Sequence, residues 1–139
     1  MKAALRGVLE TSLYVEDISR AAAFWEGVMG LTPLVPGDGR FAAYDAGKST
    51  VLLLFARGAT LETVHMPGGT IPPHDGAGRL HVAFAVAAEE LPDWEARLAQ
   101  AAIEIEGRAT WPRGGRSIYF RDPDGHLVEL ATPGLWPTY

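Results

Sequence analysis

Cysteine is absent from the 139 residues, which removes disulfides, thiolate metal sites and a cysteine nucleophile at once. Long apolar runs are absent too. Segments such as Val51–Ala56 are far too short to span a bilayer. No basic stripe exists: 12 Lys and Arg are scattered among 17 Asp and Glu, and the net charge is −5. That balance argues against nucleic-acid and anionic-membrane partners. MKAALRGVLE does not read as a signal peptide, because Arg6 and Glu10 interrupt any apolar core. A cytoplasmic location is the expectation. Hydrophobic residues make up 47% and charged residues 21% of the chain, an ordinary composition for one globular domain with a sizeable core.

ETSLYV alternates as a strand, with Leu13 and Val15 on one face and Glu10, Ser12 and Tyr14 on the other. Asp17 is placed to cap a helix over DISRAAAFWEGVMG, whose apolar residues at 18, 21, 22, 25, 28 and 29 follow helical spacing up to Gly30. LTPLV, RFAAYDA and STVLLLFARG read as strands. MPGGTIPPHDGAGR (66–79) is loop by composition. RLHVAFAV then reads as a strand and ELPDWEARLAQAA as a helix with Pro92 in its first turn. IEI, GRSIYFRD and HLVELATP are further expected strands, with DPDG as a turn between the last two.

Both halves therefore read β-α-β-β-β. Laying one over the other, at a period of about 71 to 76 residues, puts Glu10 on His81 and Leu53 on Glu129. The expected fold class is α+β: two βαβββ modules in one domain, residues 1–65 and 79–139, joined by a linker over 66–78.

Period-2 alternation sorts the faces. Val82, Phe84, Ile118, Phe120, Val128 and Leu130 are assigned to the core. His81, Ser117, Tyr119 and Glu129 point the other way, as do Glu10, Ser12 and Tyr14. One histidine and two carboxylates at repeat-related positions suit a divalent metal. Taken singly, each has a plainer reading as a solvent-facing or hydrogen-bonded side chain. His126 belongs to the DPDG turn. His74, in the Gly/Pro-rich loop, is placed either in solvent or over the site as an acid/base. AGKST (46–50) resembles a phosphate loop, but that pattern requires glycine where Ala42 stands.

With those positions in hand, the sequence resembles the vicinal oxygen chelate superfamily, which includes glyoxalase I, extradiol dioxygenases, fosfomycin thiol transferases and bleomycin-resistance proteins. LYVEDISRAAAFWEGVMGL, RLHVAFAV and SIYFRDPDGHLVELATPG carry the likeness, which covers nearly the whole chain. The resemblance implies sheets curled around one divalent metal ion (Mn, Zn, Ni, Mg or Fe(II)) held by Glu10, His81 and Glu129. Many relatives carry His where Glu10 stands, and the harder donor set weakens the case for O₂ activation. A fourth ligand on the fourth strand is missing, since that position falls on Leu52 or Leu53.

Two functions follow as expectations. The first is a metal-dependent enzyme in which the ion acts as a Lewis acid on a small oxygen-chelating substrate. Tyr119 and His74 would handle protons, and Ser12, Tyr14, Trp111, Arg116 and Ser117 would contact substrate. Isomerase, lyase, thiol transferase and ring-cleaving dioxygenase activities stay open. The alternative is a metal-free binder of the bleomycin-resistance type. The resemblance also implies a homodimer, with the tail ATPGLWPTY covering a sheet edge or joining the interface.

Overall fold

The alternation in ETSLYV forms β1 (Glu10–Val15), with Leu13 and Val15 buried. Asp17 ends the strand and starts α1 (Ile18–Ala22): its backbone is extended and its carboxylate accepts the Arg20 N–H at 2.9 Å. Such a cap stabilises a helix by about 1 kcal/mol. The helix does not keep the regular period expected up to Gly30. Ala23–Val28 widens into a π-turn, in which the Met29 N–H bonds the Phe24 carbonyl at 3.0 Å. The wider turn lets two sequence neighbours, Phe24 and Trp25, both reach the core, their rings edge to face at 5.1 Å. Gly30 ends the turn at φ +74.

Three strands follow. Of LTPLV only β2 (Thr32–Pro33) is regular, although the Leu34 N–H still bonds the Ala43 carbonyl at 2.9 Å. Pro33 has no N–H to extend the ladder. β3 (Phe41–Gly47) and β4 (Thr50–Ala56) form a hairpin whose turn holds Lys48 and Ser49 at positive φ, 47 and 63. AGKST is therefore a strand-to-strand turn.

The computed structural model describes residues Met1–Tyr139, which divide into two compact units, Met1–Ala77 and Gly78–Tyr139. In the first, the sheet order is β1-β4-β3-β2, with β1 parallel to β4 and the other pairs antiparallel. The Gly/Pro-rich segment read as loop contains a two-stranded ribbon, β5 (Val64–Met66) and β6 (Gly69–Ile71). The Pro67–Gly68 turn closes it, which composition alone had marked only as irregular.

The second unit repeats the pattern with β7 (His81–Ala85), α2 (Leu91–Gln100), β8 (Gly107–Thr110), β9 (Arg116–Arg121) and β10 (Leu127–Ala131). Pro92 lies in the first turn of α2, Leu91 and Leu98 are buried, and the Arg97 guanidinium lies 5.3 Å from the Trp94 ring centre. The strand expected at IEI begins later, at Gly107. Ala102 adopts φ 57 and the Ile103 N–H turns back to the Leu98 carbonyl at 2.9 Å, so this segment closes the helix. The sheet order is β7-β10-β9-β8, again with one parallel pair, β7 with β10. Val82 and Phe84, assigned to the core, are only half-buried on the edge strand β7.

The fold is thus α+β, two βαβββ modules of identical topology. Register confirms the overlay. Glu10 faces Val51 as His81 faces Leu127, and Leu53 lies between Ser12 and Ala43 as Glu129 lies between Ala83 and Tyr119. No helix is long and apolar enough to cross a membrane.

Candidate metal centre

β10 is an inner strand, paired along both edges, and Glu129 is only 5% exposed. A carboxylate there needs partners for its lone pairs. Oε2 accepts the Ser117 hydroxyl at 2.5 Å, and Oε1 stands 3.3 Å from His81 Nε2. His81 opens the neighbouring strand, and its ring turns back over its own cross-strand partner: Nδ1 lies 2.9 Å from the Leu127 carbonyl. A carbonyl only accepts, so Nδ1 carries the hydrogen. In the neutral ring Nε2 therefore presents a lone pair toward a carboxylate oxygen. Two lone pairs facing at that distance repel each other unless a proton or a cation lies between them.

This donor pair fits a divalent ion. Nitrogen and oxygen ligands about 2.0–2.2 Å from one first-row ion stand roughly 3–3.6 Å from each other, and the observed 3.3 Å lies in that range. The Nδ1–H bond to a backbone carbonyl is the support that metal-binding histidines use to fix tautomer and ring direction. The strand that carries His81 is itself pinned. Leu80 donates its N–H to His126 Nδ1 at 2.8 Å and accepts the Leu127 N–H at 2.8 Å. His126 is fully buried, in keeping with the turn role read from its place after DPDG. In that turn Asp122 Oδ1 accepts the N–H groups of Asp124 and His126 at 3.0 and 2.8 Å. Burial raises the Asp122 carboxyl above its ordinary range, against the pull of these backbone bonds and of His126.

Tyr119 lies opposite Glu129 on β10 and opposite Gly107 on β8. Burial, then the Glu129 charge, push the Tyr119 hydroxyl above its usual range. Ser117 is 1% exposed, and its oxygen also accepts the Trp111 indole N–H at 2.9 Å. Arg116 is exposed at the end of β9 and alternates to the face opposite Ser117.

The first unit holds the other expected residues. Glu10 is exposed at the start of β1 and Ser12 is half-buried. The Tyr14 hydroxyl lies 2.6 Å from His74 Nδ1, and the His74 ring stands edge-on to Phe55 at 4.7 Å. Thr60, a residue the sequence did not single out, holds His74 by its backbone. Its carbonyl accepts the His74 N–H at 3.0 Å and its hydroxyl donates to the His74 carbonyl at 2.5 Å. Gly76 lies so close to Tyr14 that an added Cβ would overlap the ring. His74 is therefore packed in place rather than free in solvent. No group of three or more His, Cys, Asp or Glu side chains that could hold a metal ion is present; the second unit supplies the pair, and Glu10 belongs to the first.

Paired βαβββ modules, each a four-stranded sheet with one parallel edge pair, define a class of duplicated folds. The profile of the Glyoxalase/Bleomycin resistance protein/Dioxygenase superfamily matches residues 7–130, and the chain belongs to that superfamily. It is 29% identical to metallothiol transferase FosB of Shouchella clausii (strain KSM-K16) over 133 residues, 94% of this chain and 83% of the relative. It is 30% identical to glutathione transferase FosA of Serratia marcescens over 135 residues, 94% of this chain and 84% of that protein. The crystal structure of lactoylglutathione lyase from Agrobacterium tumefaciens superposes with a TM-score of 0.86 at 30% identity, covering 96% of this chain and 98% of the other.

Proposed function

We propose that the protein is a divalent-metal-dependent enzyme acting on a small oxygen-bearing substrate, with His81 and Glu129 as metal-binding side chains. The facing of His81 Nε2 and Glu129 Oε1 at 3.3 Å carries this reading. A bound ion supplies Lewis acidity, polarising substrate oxygens and stabilising negative charge that develops on them. The chain's own groups do the rest. Tyr119, opposite Glu129 on the adjacent strand, donates a hydrogen bond from its hydroxyl to a substrate oxygen. His74, fixed by Tyr14 and Thr60, exchanges a proton with substrate.

The names of the relatives point to the co-substrate. Metallothiol transferase, glutathione transferase and lactoylglutathione lyase all name a thiol or a thiol adduct. We infer the same class here: formation or release of a bond between a small thiol and an electrophilic, oxygen-bearing carbon. A homodimer is part of this reading, and light scattering on the full chain tests it separately. The chemical test is consumption of glutathione or L-cysteine with a small epoxide or 2-oxoaldehyde, with and without Mn²⁺ or Zn²⁺. Metal-dependent thiol consumption that Tyr119→Phe lowers at least tenfold supports the proposal. A chain that takes up no metal and consumes no thiol is a binder of the bleomycin-resistance type instead.

A further inference from the structure

Trp111 and Ser117 were expected to contact substrate, but their hydrogen bonds run inward. The Trp111 indole has a donor and no acceptor, so its N–H at 2.9 Å occupies a lone pair of Ser117 Oγ. The carboxylate of Glu129 has acceptors and no donor, so the Ser117 hydrogen must point to Oε2. The direction of every bond in Trp111→Ser117→Glu129 is thereby fixed. With Oε2 held, Oε1 is the oxygen left to face His81.

Trp111 is itself anchored. Its N–H bonds the Gly115 carbonyl at 2.7 Å and its carbonyl accepts the Gly114 N–H at 2.8 Å, a tight turn with Gly114 at φ +92. The chain beyond β10 backs this turn: a Cβ on Gly115 would meet the Gly134 carbonyl carbon at 2.6 Å. Beyond Gly134 the tail folds back, with the Gly134 N–H bonding the Tyr139 carbonyl at 2.7 Å and the Tyr139 hydroxyl reaching the Ala131 carbonyl at 2.8 Å.

We propose that Trp111 is a positioning residue: through Ser117 it fixes which oxygen of Glu129 is offered beside His81, and the tail sets Trp111 by backing its turn. The metal part of this proposal rests on the function proposed above; the orientation of Glu129 does not. Two measurements on the full chain separate them. In the metal-free protein, Trp111→Phe shifts the Glu129 side-chain carboxylate ¹³C resonance, and does so no longer in a Ser117→Ala background. With Mn²⁺ alone as probe, Trp111→Phe and Ser117→Ala each weaken binding about 10- to 100-fold, the double variant is no weaker than Ser117→Ala, and Ser117→Thr restores binding. Independent losses that multiply in the double variant, or a Trp111→Phe protein unchanged in both measurements, overturn the proposal. If Trp111→Phe does not fold, the contrast between Ser117→Ala and Ser117→Thr decides: equal Mn²⁺ affinity and an unmoved Glu129 resonance in both overturn it. If the carboxylate coupling is present but the wild-type chain binds neither Mn²⁺ nor Zn²⁺, the positioning role stands and the proposed function falls.

Discussion

The two modules share a topology and a register but not a chemistry. At one register position the first module sets Leu53 between Ser12 and Ala43, while the second sets Glu129 between Ala83 and Tyr119. Duplication thus supplies the same backbone twice, and side chains alone set a carboxylate where the other copy has a leucine. The polar contact in the first module arises differently: His74 comes from the segment after the ribbon and reaches Tyr14 on β1. One module builds its polar cluster within the sheet, and the other borrows half of it from a loop.

The largest effect follows from removing the edge-strand donor. His81→Ala is expected to weaken Mn²⁺ or Zn²⁺ binding at least 100-fold, measured by calorimetric titration, whereas Tyr14→Phe in the other module leaves binding within about threefold. Equal losses would erase the distinction between the modules.

Each module also has a glycine in close contact, but the neighbours differ. Gly115 meets the backbone of Gly134, which cannot give way, so Gly115→Ala is expected to cost about 2–4 kcal/mol in urea denaturation. Gly76 meets the Tyr14 ring, a side chain able to move, so Gly76→Ala is expected to cost less, about 1–2 kcal/mol. The reverse order would show that the tail does not hold the Trp111 turn.

Tyr14→Phe removes one hydrogen bond and is expected to cost about 1 kcal/mol. The smallest effect is a pH dependence. Burial raises the folded-state carboxyl of Asp122 above its ordinary range. The stability it contributes is therefore present below the unfolded value and is lost as pH rises through the folded one. Asp122→Asn keeps an acceptor for the Asp124 and His126 N–H groups and should not show that loss. Its stability relative to wild type is expected to rise as pH increases through the acid range in which carboxyls titrate, followed by urea denaturation.

Much of the fold was legible because the repeat was. Alternation and overlay located β1, β7, β9 and β10 and set His81 and Glu129 on the non-core faces of their strands, which the structure pairs side by side. Three details were not legible. The π-turn at Ala23–Val28 answers to two adjacent aromatics seeking one core, which a 3.6-residue template cannot represent. The strand expected at IEI depends on where α2 unwinds, and Ala102 in a left-handed conformation is not signalled by an alanine. Gly and Pro between 66 and 71 mark both loops and tight ribbons, so composition hid β5 and β6. In the site, the alternation correctly set Ser117 on the face of Glu129. Its burial and the Trp111 bond depend on a turn and a tail that only the three-dimensional structure displays.

The central claim is that the second module's facing pair, His81 and Glu129, holds a divalent ion. Elemental analysis of the full chain, purified without chelator and then dialysed against Mn²⁺ and Zn²⁺ in turn, tests it most directly when run beside Glu129→Gln. A stoichiometric ion is expected in the wild type, with its loss in Glu129→Gln while the metal-free melting temperature stays little changed. A wild-type chain that takes up neither ion, or a Glu129→Gln chain that keeps full occupancy, would contradict it.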